Sequence, residues 1–231
     1  MNKLFAVAAV SLFALSAQAA DVIGTSGATF THAANLDSGA VFSGVNTSSF
    51  TWGNGSVANV GPNNLTFTGA NFSANFGQDF KLGTLSYFNG TTALNSNLKN
   101  IDLRSNLNFV QPGIPSVASD FTLRLNSTTN TSDPIASADF VNFSSTNSSS
   151  RFVIGGATYT VRISGFRNIV GDGFLQSSAT EFHVLEGRRA SADLYGSVVV
   201  ASAPVPEPET YALMLAGLAM LGVVARRRKQ A

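Results

Sequence analysis

The residues able to do chemistry in this 231-residue chain are few and widely spaced. Two histidines, His32 and His183, lie about 150 residues apart, whereas a zinc centre draws on three or four ligands at short spacings. There is no cysteine, which excludes thiol catalysis, zinc–thiolate sites and iron–sulfur clusters held by this chain. No Gly-x-Ser-x-Gly elbow leads into a helix, and Gly171-Asp172-Gly173 lacks the Lys-Ser/Thr and helix of a phosphate loop. Glycosidic cleavage needs two acids about 5–10 Å apart across a sugar. Acids at i, i+2 on a strand would supply such a pair, but Glu181 and Glu186 are five apart. Asp37, Asp133, Asp139 and Asp172 fall in or beside loops, where their oxygens suit Ca²⁺. No Asp-x-Asp-x-Asp-Gly loop accompanies them, and Asp in turns also serves backbone hydrogen bonding. Trp52, the sole tryptophan, stands beside a turn, as either a platform for a sugar ring or a core aromatic. These residues assign no catalytic group, no metal ligand set and no cofactor; calcium is the one ion the loops suit.

The elements that must position these side chains read as strands. Ile101, Leu103, Leu107 and Phe109 share one parity, with Asp102, Arg104, Asn106 and Asn108 on the other. Phe121, Leu123 and Leu125 alternate with Thr122 and Arg124, and Tyr159, Val161 and Ile163 with Thr158, Thr160 and Arg162. A period of two means strands with one wet face. Phe182 and Val184 flank His183, and Leu194 to Val200 gives a last strand. Gly53-Asn54-Gly55, Asn89-Gly90, Gly155-Gly156 and the Ser/Asn-rich run 144–150 punctuate them as turns. No amphipathic helix of ten residues appears between Asp21 and Pro204. The expected fold class is all-β: an antiparallel β-sandwich, jelly-roll-like, with most of the 18 Phe filling the space between its sheets.

Both ends differ from this body. Met1-Asn2-Lys3 is followed by an apolar run from Leu4 to Leu15, about 12 residues against the ~20 of a membrane span. Ala17-Gln18-Ala19 then gives the small residues that signal peptidase accepts, so residues 1–19 read as a signal peptide and Ala20 as the new start. Removing both ends leaves nine Lys or Arg against eleven Asp or Glu, so no basic patch argues for nucleic acid. At the other end, Tyr211 to Ala225 is uncharged; as a helix it spans about 22 Å, short of a ~30 Å hydrocarbon core. Arg226, Arg227, Arg228 and Lys229 form a basic stop that stays on the cytoplasmic side. Pro204, Pro206 and Pro208 keep the approach extended and open to a protease.

Val205-Pro206-Glu207-Pro208, the short apolar helix and the terminal basic cluster together resemble the PEP-CTERM sorting signal. That resemblance implies recognition and cleavage by exosortase in a Gram-negative bacterium that makes exopolysaccharide. Phe50-Thr51-Trp52-Gly53, Leu65-Thr66-Phe67-Thr68-Gly69, the stretch from Phe80 to Gly90 and the stretch from Glu186 to Gly196 resemble the choice-of-anchor K domain, which implies a β-rich exported module without assigned chemistry.

The expected organisation is therefore a signal peptide at 1–19, one sandwich domain at 20–203, and a sorting signal at 204–231 with a membrane helix at 211–225 and a basic tail at 226–229. The chain is read as a non-enzymatic surface or matrix protein. Its export runs across the inner membrane, with a transient C-terminal anchor, and its partners are signal peptidase, exosortase and exopolysaccharide or other matrix proteins. Two alternatives stay open. Exposed aromatics in a groove, Trp52 among them, would favour a carbohydrate-binding module; two carboxylates facing across a cleft would favour an extracellular glycoside hydrolase.

Overall fold

The computed structural model describes residues 21–55, 61–110, 113–175, 178–202 and 217. The predicted signal peptide with Ala17, Ala19 and Ala20 lies outside them. So do Val205, Pro206, Glu207, Pro208, the basic stop at 226–229 and, Gly217 apart, the helix expected at 211–225.

The body is all-β and antiparallel, in two sheets. One contains β1 (Asp21–Leu36), β5 (Asn71–Asn75), β7 (Leu98–Phe109), β8 (Val117–Asn126), β9 (Asp139–Phe143) and β12 (Glu181–Val184), in the order β12-β9-β8-β7-β1-β5. The other contains β2 (Phe42–Ser43), β3 (Ser49–Trp52), β4 (Asn63–Gly69), β6 (Phe80–Phe88), β10 (Asn147–Ile154), β11 (Ala157–Val170) and β13 (Arg189–Ser202), in the order β10-β11-β13-β6-β4-β3-β2.

The alternation in the sequence becomes the burial pattern. On β7, Ile101, Leu103 and Leu107 are buried while Arg104 and Asn108 are exposed; on β8, Phe121, Leu123 and Leu125 are buried and Arg124 is exposed. The buried faces of both sheets form one apolar cluster. Rings bridge the sheets: Phe30 of β1 lies 6.0 Å from Phe50 of β3, Phe72 of β5 lies 4.5 Å from Phe80 of β6, and Phe143 of β9 lies 5.5 Å from Phe166 of β11. Offset and edge contacts of this kind add about 0.5–1.5 kcal/mol each beyond the area they bury.

Two local features set the ends of the strands. Gly155 and Gly156, at φ of 56° and 81°, turn β10 directly into β11 in the left-handed region that glycine tolerates. On β1 the register against β7 shifts between Thr31 and Ala34, and His32 takes φ of 54° there, so β1 carries a bulge.

Candidate functional site

A groove of about 900 Å³ opens at one end of the sandwich. Its walls are the β6–β7 connection around Thr92 to Asn97, the first residues of β7, the last of β8, the β8–β9 connection from Ser127 to Asn130, and the β12–β13 turn. Pairing places these pieces together. Leu36 is opposite Leu98, Asn126 opposite Phe140, Val184 opposite Asp139, and Arg189 opposite Phe88.

The lining mixes amide, hydroxyl and carboxylate groups with the cations Lys99 and Arg124 and the apolar Leu94, Leu98 and Leu125, and none of the described residues lining it is aromatic. Both long-range bonds between loops and local bonds from Asn, Asp, Ser and Thr side chains hold the groove walls. Asn97 N–H donates to Asp37 Oδ2 at 3.2 Å, and Gly39 N–H to the Asn95 carbonyl at 3.0 Å. In the β8–β9 loop, Thr131 N–H donates to Ser137 Oγ at 2.8 Å and Ile135 N–H to Asp133 Oδ1 at 2.9 Å.

Two acids meet here. Asp139, 4 % exposed, accepts from Thr128 N–H at 2.7 Å and from Thr128 Oγ at 3.2 Å, both on Oδ1. Glu186 accepts from Asn130 Nδ2 at 3.0 Å, with Asn89 and Thr91 also bonded to it. Burial pushes the Asp139 carboxyl up to about 6, the nearby Glu186 charge adds to that, and the Thr128 bonds oppose it. Burial raises Glu186 as well, opposed by its three hydrogen bonds. The buried Tyr87 hydroxyl titrates well above its ordinary range, first through burial and then through the charges of Asp139 and Glu186. None of the ion pairs among the described residues involves Asp37, Asp139 or Glu186; their donors are neutral.

Spacing along the sequence did not reveal this pair. Asp139 opens β9 and Glu186 lies in the turn after β12, and only the β9–β12 pairing makes them neighbours. Both fasten one wall of the groove, since Thr128 and Asn130 belong to the same loop. An open groove with this lining carries donors and acceptors of the kind that hydrogen-bond hydroxyl groups, and its charges are of both signs, Asp37, Asp139 and Glu186 against Lys99 and Arg124.

The other residues singled out in the sequence fall elsewhere. Trp52 corrects the platform expectation: it is 1 % exposed, stacked between Phe50 at 6.0 Å and Tyr87 at 5.7 Å. Its inward parity on β3 buries the ring, so no sugar can stack on it. The calcium expectation finds no centre. Asp37 and Asp139 line the groove, Asp133 caps its own turn, and Asp172 pairs with Arg188 at 3.0 Å. Among the described residues no group of three or more His, Cys, Asp or Glu is placed to hold a metal. His32 is a surface residue with its side chain 85 % exposed, and His183 stacks on Phe140 at 4.5 Å.

Comparison with known families gives one match: residues 204–229 fit the PEP-CTERM protein-sorting motif. That motif implies an exported cell-surface protein processed by exosortase. No curated protein matches the chain.

Proposed function

We propose that this is a surface or matrix protein of the exopolysaccharide layer, cut by exosortase close to Pro206-Glu207-Pro208 after a transient stay in the inner membrane. Its body is a non-enzymatic interaction module of the choice-of-anchor K type, and the polar groove is the face it offers to exopolysaccharide or to neighbouring matrix proteins. The observation that carries the reading is the sorting motif at 204–229, set directly behind the last strand at Ser202. Asp139 and Glu186 serve here as fasteners of the loop 127–130, which supports a binding role over acid–base chemistry. A second reading, a carbohydrate-binding module with a defined sugar subsite, is favoured by the amide and hydroxyl lining alone.

The test is replacement of Pro206, Glu207 and Pro208 together by alanine. The expected outcome is a full-length product held in the inner membrane and a surface fraction depleted of the protein. Unchanged processing and surface yield would overturn the sorting role. Incubation of the mature protein with exopolysaccharide should release no new reducing ends; their appearance, lost in Glu186→Gln, would replace binding with hydrolysis.

A further inference from the structure

Strand directions give the sandwich two unlike ends. At one end β1 begins, with Asp21 opposite Asn75, and β13 finishes, with Ser202 opposite Thr158. The β5–β6 turn joins them there, since Gly77 N–H donates to the Val198 carbonyl at 2.8 Å, and the β10–β11 hairpin turns there at Gly155 and Gly156. At the other end β13 begins, with Arg189 opposite Phe88, and β1 finishes, with Leu36 opposite Leu98. The groove with Asp139 and Glu186 belongs to that second end. Both ends of the exported body thus leave from one pole, and the groove occupies the opposite one.

We infer that the folded body stands on the pole where β1 begins and β13 ends, with the groove pole turned outward from the membrane. The inference rests on the sorting reading above, which holds the chain by the apolar stretch from Tyr211. A strand of 14 residues at ~3.3 Å per residue, shortened by its bulges, separates the two poles by roughly 40 Å. Between Ser202 and Tyr211 lie residues 203–210, a span that reaches at most about 32 Å when fully extended. Presenting the groove to the membrane would place Ser202 farther from it than that tether reaches. Cleavage near residues 205–208 ends that hold, so the orientation belongs to the chain while its C-terminal stretch is still attached. The groove therefore meets soluble polymer and neighbouring surface proteins first, and the hairpin at Gly155 faces the cell.

The chain has no cysteine, so single cysteines report position without background. Leu94 on the groove rim is 92 % exposed, and Val153 beside the hairpin is 60 % exposed. Leu94→Cys and Val153→Cys are made separately in the full chain with Pro206, Glu207 and Pro208 replaced by alanine, which holds it uncut, and treated on cells stripped of their outer membrane with two reagents. One is a small membrane-impermeant maleimide; the other carries the maleimide on an antibody-sized particle, too wide for the space beneath the body. The small reagent should label both variants, and the large one should label Leu94→Cys several-fold more than Val153→Cys, a difference that disappears on purified soluble protein. Equal labelling by the large reagent on cells, or preference for Val153→Cys, overturns the orientation alone. Labelling of neither variant until the cells are broken overturns the export and sorting reading, and the orientation with it.

Discussion

Asp139 shows how one buried carboxyl couples the groove to pH. Its neighbours are neutral donors from Thr128 and the acid Glu186, so the folded chain holds the Asp139 proton up to about pH 6, against an ordinary value of 3.8. A carboxyl whose pKa is raised on folding binds its proton more tightly in the folded state than in the unfolded one. Its contribution is therefore favourable below the unfolded value and is lost as pH rises from about 4 to about 6, then stays flat. The full change is about 3 kcal/mol at most. Asp139→Asn keeps an oxygen for Thr128 and removes the charge. Urea unfolding should find the variant more stable than the parent at pH 7.5 by up to that amount, with the gap narrowing to about a third at pH 4.5 and closing at about pH 3. A gap of the same size at both pH values would show that Asp139 does not hold a proton in the folded protein. Glu186, raised in the same direction and facing the same loop, adds to this slope, so Glu186→Gln should flatten part of what remains.

At the scale of elements, the two sheets come into backbone contact where β4 ends against β1. Ser26 N–H donates to the Ala70 carbonyl at 2.8 Å, Ala70 N–H donates back to Ser26 Oγ at 3.1 Å, and that same Oγ donates to the Leu82 carbonyl. Gly69 makes the approach possible, because a Cβ there would lie 2.0 Å from the Ser26 carbonyl oxygen, a backbone atom that cannot swing aside. Gly69→Ala should lower stability at or beyond the upper end of the ~1–3 kcal/mol typical of overpacking. Gly27→Ala, with open space around its Cβ, should leave the melting temperature nearly unchanged; comparable losses in both variants would reject the close-approach account. The same region explains what the sequence could and could not tell. β7, β8 and β11 were legible because each has one wet and one buried face, so Ile101, Phe121 and Val161 alternate with polar partners. β1 carries Gly24, Ser26, Gly27 and Ala28 where the sheets crowd together, and small residues chosen for close approach leave no clear period. Asp139 and Glu186 were invisible as a pair because their meeting depends on β9–β12 pairing, which no local spacing encodes. Trp52 was half legible: position beside a turn allowed either face, and inward parity on β3 decided for the core.

At the scale of the whole molecule, the last strand is the central one to complete. β13 lies between β11 and β6 and supplies Ala190, Ala192, Leu194 and Val198 to the core. Without it, β11 and β6 would each present an unpaired edge, and the seven-stranded sheet would fall into two pieces of two and four strands. In chain order the sandwich is complete only at Ser202, and the sorting motif at 204–229 follows at once. The last strand of the fold and the sorting motif are thus neighbours in the chain. A fragment of residues 21–202 should melt cooperatively, at the same temperature as a fragment extended to residue 208. A fragment ending at Val184 should show no cooperative transition and should be digested rapidly by a nonspecific protease. Cooperative melting of that shorter fragment at an unchanged temperature would mean that β13 is an accessory strand and that the fold is complete before Ser202.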